Sequence, residues 1–343
     1  MNRRTCRKIW VVVSKHFSKF TFKITIPETS TIMPPFPSPT KQWHTTSYPA
    51  IFPSRPDLSL AGKSILISGA GTGIGARTAE SFAQASASHI AILGRRQAKL
   101  DATASHIRAA YPNTYVYVYV ADMTDASAVN TAFEDFVHNV GGKIDILVSN
   151  ASSFSITPPI ASSDPTTWMS DISTNILGPL HLTQAFLTHG KPDGIIINVS
   201  SALSLLSGPG MSAYAVSKEA GLRFFQIVGM ENEGLRIVSV HPGVVGTDMN
   251  AKTELAPMDD GTLSLPLQCS AIRGLRIDLL MNDAVSLPAD FMVWLASEEA
   301  AFLKGKYVWA NWDVTELVEG KVEIAEKRLL EMWLNGVPFE AEA

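Results

Sequence analysis

The sequence predicts an α/β fold, a doubly wound parallel sheet of about seven strands with helices on both faces, and three observations predict it. After Gly62 the chain alternates short apolar runs with longer helical segments, the pattern of repeated strand-helix-strand units. The runs are almost continuously apolar, as strands covered on both faces must be. The segments between them are long enough for right-handed crossovers. In order, strands are predicted over 64–68, 89–93, 115–120, 144–149, 194–199, 235–240 and 307–310. Helices are predicted near 74–85, 97–111, 126–140, 168–188 and 212–231. In such a sheet the ligand lies beyond the C-terminal ends of the strands.

The rest of the chain is read against this single domain, expected over 57–343. With 343 residues, 46% of them hydrophobic, the chain can bury a full core. Residues 1–56 form an N-terminal extension, expected to be disordered or an extended arm. Its first part sets Arg3, Arg4, Arg7, Lys8, Lys15, Lys19 and Lys23 against the single acid Glu28. That composition suits a transit peptide, whereas Met33 offers a second start and makes the preceding residues an upstream addition. From Met33 to about Pro56 frequent prolines deny regular structure and leave an arm lying on or trailing from the domain. Near 247–287 the rhythm breaks at Pro257, Gly261, Pro266 and Gly274, and a long irregular insert on the ligand side is expected to be a substrate lid. Its Met249, Leu255, Met258, Leu263, Leu265 and Leu267 point to an apolar substrate. A helical tail is expected near 315–343. Its apolar stripe between Leu317 and Leu334 reads as core or as a subunit contact in a homo-oligomer.

Composition excludes several function classes. A net charge of -4 leaves no basic face for a nucleic acid. No apolar run approaches the roughly 20 residues of a membrane span. Cys6 and Cys269 have neither a metal-site spacing nor a disulfide framework around them, the eight histidines show no mutual ligand spacing, and no metal is expected. The expected location is cytoplasmic, or mitochondrial should the extension act as a transit peptide.

Small-molecule chemistry remains, and its residues follow the strands. Ser68-Gly69-Ala70-Gly71-Thr72-Gly73-Ile74-Gly75 stands after a strand and opens a helix. Glycines there let the backbone approach a pyrophosphate, which the helix N-terminus then meets with N–H groups and its dipole. This makes the sheet a Rossmann-type one. Where an acid would bind the ribose 2′-hydroxyl, the chain has Leu93-Gly94-Arg95-Arg96. Arginine bonds a 2′-phosphate and an acid would repel it, so Arg95 favours NADP(H) over NAD(H). Tyr214 and Lys218 are four residues apart on one helix face, where the ammonium can lower the tyrosine pKa toward the working pH. Alone, that spacing marks any solvated helix face. Just upstream, the strand 194–199 ends at Ser200-Ser201, where a hydroxyl can hydrogen-bond a substrate oxygen. Asn175 is a low-propensity residue inside a predicted helix.

This ordered set resembles the short-chain dehydrogenase/reductase family, in its compact single-domain branch, from about Leu58 to Val314. The glycine-rich segment is similar to the family's cofactor turn, with Ser68 where threonine is commoner. Asp122, followed by Met123, looks like the acid bordering the adenine. Asn150-Ala151 matches the family's Asn-Asn-Ala-Gly segment in part, with Ser149 and Ser152 departing from it. The resemblance implies that Asn175, Ser201, Tyr214 and Lys218 are a catalytic tetrad. The distance in sequence to Tyr214 selects Ser201 over Ser200. It implies too that the segment carrying Pro242, Gly243, Val245 and Thr247 holds the nicotinamide amide. The ending Gly305-Lys-Tyr-Val-Trp309-Ala-Asn-Trp312-Asp313 looks more like fungal members. The implied activity is interconversion of a carbonyl and an alcohol with NADP(H). The alternatives are a cofactor-binding sensor or scaffold without turnover, and a non-redox epimerase or dehydratase on the same fold.

Overall fold

A computed structural model describes residues 8–11, 22–25, 38–206, 210–247 and 283–332. Seven parallel strands form one sheet: β3 (Ser64–Ser68), β4 (His89–Gly94), β5 (Tyr115–Val120), β6 (Ile144–Ser149), β7 (Gly190–Val199), β8 (Arg236–His241) and β9 (Tyr307–Trp309). Their order across the sheet is β5-β4-β3-β6-β7-β8-β9. The chain therefore winds outward from β3 in one direction, returns, and winds out in the other from β6. That reversal opens a crevice at the C-terminal ends of β3 and β6, where ligands of such sheets bind. Two further strands, β1 (Lys8–Val11) and β2 (Phe22–Thr25), pair antiparallel in a sheet of their own, within the stretch expected to be irregular. β-Branched and aromatic residues dominate both, and their propensity favours strands.

Alternation of side chains sorts the core onto the two faces. Ile65 and Ile67 of β3 join Phe82, Leu100, Phe291 and Trp294 on one face, while Leu66 joins Phe133, Phe136, Phe186 and Phe225 on the other. Each such side chain, buried fully, stabilises the fold by roughly 1.5–3 kcal/mol. The first face is covered by α1 (Gly73–Gln84), α2 (Gln97–Ala110) and the helix Ser286–Leu295, the second by α3 (Ala126–Val140), α5 (Gly178–His189) and α6 (Ser212–Glu231).

Two expected elements come out differently. β7 starts at Gly190 rather than at 194, because its register with β6 shifts between the Ile144 and Ile146 pairings. The single helix expected over 168–188 is three pieces: α4 (Pro165–Ile172), a π turn (Ser173–Leu177) and α5. Pro179 cannot donate to the carbonyl of Asn175 and its ring crowds that carbonyl, and widening the turn relieves both.

The ends frame the domain. Pro49–Ile51 and Pro56–Leu58 make 3-10 turns, each with proline in its first turn, and Trp43 forms an antiparallel bridge with Trp312. The tail holds two short helices, Val314–Glu319 and Lys321–Glu326, with Gly320 between them. Residues 248–282 of the expected lid, including its six apolar residues, lie outside the described residues, and so do residues 333–343 of the tail. Among the described residues no helix is long and apolar enough to cross a membrane.

Candidate active site

The end of β3, the start of α1 and the loop after β6 are tied into one unit. Ser68 Oγ accepts hydrogen bonds from the backbone N–H groups of Asn150 and Ala151, both at 3.0 Å, and Asn150 Nδ2 donates to Ser68 O at 2.9 Å. Glycine is required in the turn between them. Gly69 has φ +70°, and a Cβ on Gly75 would stand 2.4 Å from Gly69 O and 2.6 Å from Asn150 Nδ2. Gly75→Ala is accordingly expected to destabilise the fold by about 1–3 kcal/mol and to weaken nucleotide binding, read by a melting curve and a titration. A variant that melts and binds as wild type overturns this account of the turn.

A cleft of about 410 Å³ opens above this unit. Gly69, Gly71, Thr72, Gly73, Ile74, Gly75, Arg95, Asp122, Met123, Asn150, Ala151, Tyr214, Lys218, Pro242 and Thr247, all singled out in the sequence, line it together. Gly243 and Val245 stand behind its wall: Val245 bridges to Asp283, and Val244 N–H donates to the Asp283 carboxylate at 2.7 Å. The structure adds lining residues that the sequence reading missed, among them Arg96, Ser152, Ser153, Phe154 and Thr174. Arg96 Nη2 donates to Thr72 Oγ1 at 3.0 Å, whereas Arg95 reaches outward to Asp122 at 3.5 Å with its side chain 74% exposed. Hydrogen bonding from Thr124 holds the Asp122 carboxyl below the usual range, with Arg95 adding to it. Arg95 and Arg96 follow β4 with no acid beside them in sequence, and Asp122, following β5, pairs with Arg95 at this end of the cleft.

At the other end stands Tyr214, its ring 4.6 Å from that of Phe154. Burial pushes the phenol up to about 12, Ser201 and Ser152 pull it down by hydrogen bonding, and the charge of Asp171 raises it. Lys218 donates from Nζ to Val199 O at 2.9 Å and lies 5.6 Å from the Tyr214 ring centroid. Burial pushes its ammonium down to about 8. The sequence predicts that the lysine lowers the tyrosine pKa toward the working pH. Here desolvation dominates both groups, so the phenol is protonated at neutral pH and the opposing pull on it comes from hydroxyls.

Ser201 caps a short turn, its Oγ accepting from Leu203 N–H at 3.2 Å. Its neighbour Ser200 faces the cleft, with Oγ buried and unpartnered among the described residues. Asn175 sits in the π turn and is only 5% exposed. Its Oδ1 accepts from Ser152 Oγ at 2.9 Å and Ser153 N–H at 2.8 Å, and its Nδ2 donates to Ser153 O at 2.8 Å and Ser217 Oγ at 2.9 Å. It lines not the main cleft but a small void that it shares with Lys218 and Ser200. Asp171, four residues earlier, accepts from Ser153 Oγ at 2.7 Å and Ser155 N–H at 2.8 Å. One helix edge thereby pins the serine-rich loop 152–155 beside the phenol. The signal was present in sequence as an Asp and an Asn one turn apart and a serine cluster after β6, but neither part means anything until the fold pairs them. His241 is pushed by burial down to about 3 and accepts from Ala202 N–H at 3.0 Å, a neutral, structural group. No cluster of metal-ligating side chains occurs among the described residues.

Known proteins share this sequence pattern and this fold. The short chain dehydrogenase family model matches residues 63–257. A short chain dehydrogenase/reductase of Claviceps purpurea is 32% identical over 304 residues, which cover 88% of this chain and 95% of that protein. The short chain dehydrogenase mpl6 of Monascus purpureus is 32% identical over 293 residues, 82% of this chain and 91% of its own. Among solved structures, a dehydrogenase/reductase of Sinorhizobium meliloti shares 26% identity with a TM-score of 0.63, covering 76% of this chain and 97% of that one. A Burkholderia cenocepacia short chain dehydrogenase in complex with NADP superimposes with a TM-score of 0.61 at 24% identity, over 75% and 99% of the two chains. The chain belongs to the short-chain dehydrogenase/reductase family, and it is an oxidoreductase with the family's Rossmann fold.

Proposed function

We propose that this protein uses NADP(H) to interconvert a carbonyl and an alcohol, with Tyr214 as the proton donor and acceptor. The observation that carries the reading is that one cleft holds a glycine-walled helix N-terminus and two arginines at one end, and Tyr214 with Lys218 at the other. The cradle suits a dinucleotide phosphate: Gly69 at φ +70° and Gly75 against Gly69 O make a tight turn that a Cβ would block, and Arg95 and Arg96 supply cations for a 2′-phosphate. A relative's structure was solved with NADP bound, which supports the same choice.

When bound, NADPH supplies the hydride. The chain's own groups handle the oxygen and the proton. Ser201 and Tyr214 donate hydrogen bonds to the substrate oxygen, and Tyr214 passes its Oη proton to that oxygen as negative charge develops on it. Oxidation of the alcohol runs through the same groups in reverse. Lys218, held by Val199 O, brings positive charge beside the tyrosinate left behind. Asn175 fixes Ser152 and Ser153 against the reacting end, and the small void beside it, bordered by Lys218 and the unpartnered Ser200 Oγ, is placed to pass protons to Lys218 through a water. Phe154 beside the phenol supports an apolar carbonyl substrate. Val216, Ile227 and Met230 are exposed on α6 beside Glu219 and Arg223, and these apolar residues support self-association.

The test is the dissociation constant for NADPH and for NADH, read by fluorescence at fixed salt. NADPH is expected to bind roughly 10- to 100-fold more tightly, the worth of a charge-assisted contact to the phosphate, and Arg95→Ala with Arg96→Ala is expected to close the gap. Equal affinities would remove the arginines from this role.

A further inference from the structure

The residues just before the Rossmann unit run onto its far edge and end close to the cofactor wall. His44 N–H donates to Asn311 O at 2.8 Å, and Asn311 Nδ2 returns a bond to His44 O at 2.8 Å. Ala284 N–H donates to Thr45 O at 2.8 Å. The arm is anchored there by several independent contacts. The His44 imidazole meets the Asp313 carboxylate at 2.8 Å and stacks on Tyr48 with centroids 3.5 Å apart. The Tyr48 hydroxyl donates to Trp312 O at 3.1 Å and accepts from Val314 N–H at 2.9 Å.

From Asn311 the contacts continue inward. Its Nδ2 also donates to Asp283 Oδ1 at 3.0 Å. With two acceptors in front of Nδ2, the orientation of this amide is fixed. The other Asp283 oxygen accepts from Val244 N–H at 2.7 Å, so one buried carboxylate joins the arm-held amide to the backbone next to Gly243. Gly243 has φ +83°, and a Cβ on it would lie 2.4 Å from Asp283 Oδ2. Its left-handed conformation and the carboxylate are thus fitted to each other. Gly243 sets the course of the chain from Pro242 to Thr247, both of which line the cleft, and Thr247 Cγ2 comes within 3.3 Å of the position of a Cβ on Gly73 in the glycine-rich turn. Residues 43–48, Asp283 and Asn311 all fall outside residues 63–257, the stretch matched by the family model.

We propose that the arm residues 43–48 belong to the cofactor site: through Asn311 and Asp283 as positioning residues they hold Gly243 and Val244, and so aim the segment 242–247 at the glycine-rich turn. The proposal rests on the reading of the cleft as a nucleotide site. It does not depend on which substrate is turned over.

Two substitutions test it without touching the cleft. Asn311→Ala cuts the arm from Asp283 and leaves the Val244 bond in place. Asp283→Asn keeps the shape, but an amide offers one acceptor where the carboxylate offers two, so one of the two bonds is lost. In both, the dissociation constant for NADPH, measured well below the melting temperature, is expected to rise about tenfold, the loss of one bond to a charged group. Backbone hydrogen exchange over 242–247 is expected to quicken in the ligand-free protein. His44→Ala, which loosens the arm from Asp313 and Tyr48, should give the same two changes more weakly, and it serves if either other variant fails to fold. Folded variants with wild-type NADPH affinity and wild-type exchange over 242–247 overturn the proposal, even where their melting temperatures fall. Should the wild-type protein bind no nicotinamide nucleotide, the reading of the cleft fails, and the exchange measurement alone decides whether the arm positions this segment.

Discussion

Tyr214→Phe is expected to lose carbonyl reduction by about 10²–10⁴-fold, the usual worth of a positioned proton donor, while its affinity for NADPH stays unchanged. The substitution removes one oxygen and keeps the ring, so the packing on Phe154 at 4.6 Å survives. What disappears is the group at which Ser201 and Ser152 are aimed. Their lost bonds cost about 1–3 kcal/mol of stability, too little to unfold a domain of this size. With burial holding the phenol up at about 12, the wild-type tyrosine is protonated across the neutral range and reduction should be flat with pH there. Alcohol oxidation needs the phenolate, so it should climb with pH until Lys218 gives up its charge near 8. Steady-state rates in both directions from pH 6 to 10, with a parallel NADPH titration, read all of this. Turnover retained in Tyr214→Phe would take the tyrosine out of its role, and loss of NADPH affinity would mean that the phenol serves binding instead.

Much of this arrangement could be read in the sequence, and the parts that could not share a physical cause. The seven strands of the main sheet announce themselves because burial on both faces forces runs such as Ile65-Leu66-Ile67, and the glycine-rich turn because its Cβ positions are filled by other atoms. The grouping of Arg95, Asp122, Tyr214 and Lys218 around one cleft follows from strand order, since Arg95 and Asp122 follow the ends of β4 and β5, and Tyr214 and Lys218 lie in the first turns of α6, the helix after β7. The π turn at Asn175 was not legible: Pro179 in a helical pattern signals a disturbance, but whether the helix breaks, kinks or widens depends on what packs against it. Asp171 stands in the sequence one turn before Asn175, but its partners Ser153 and Ser155 are reached through space, so the pairing was not legible. The charge balance on the tyrosine was not legible for a related reason. Spacing shows that two groups share a face, but only burial shows that desolvation outweighs their attraction. Asp283 lies within the irregular stretch expected near 247–287, and its importance rests on the bridge to Val245 and on Asn311.

Lys218→Met is expected to make the protein more stable while abolishing turnover. Lys218 is 9% exposed and burial brings its ammonium from 10.5 down to about 8, so keeping it charged at pH 7 costs the fold about 3 kcal/mol at 1.36 kcal/mol per pKa unit. Methionine has a similar length and no charge to desolvate. Against this gain stands the Val199 carbonyl, which loses the donor now 2.9 Å away, at about 1 kcal/mol. A net gain of about 2 kcal/mol remains. The pH dependence identifies the cause. Below pH 8 the lysine is protonated in both folded and unfolded chains, so the penalty is constant and the advantage of methionine is full. Between pH 8 and 10.5 the unfolded chain still binds the proton and the folded one has released it, so wild-type stability from this group rises with pH and the gap closes. Above 10.5 only the lost carbonyl contact remains, and methionine should be the slightly less stable of the two. Denaturant unfolding of both proteins at pH 7, 9 and 10.5 measures the gap directly. A gap independent of pH would mean that packing rather than charge burial sets it, and a methionine variant less stable at pH 7 would mean that the Val199 contact outweighs desolvation. A buried lysine that costs the fold this much is what the proposed reaction calls for, where its charge stabilises the tyrosinate left when the proton leaves Tyr214.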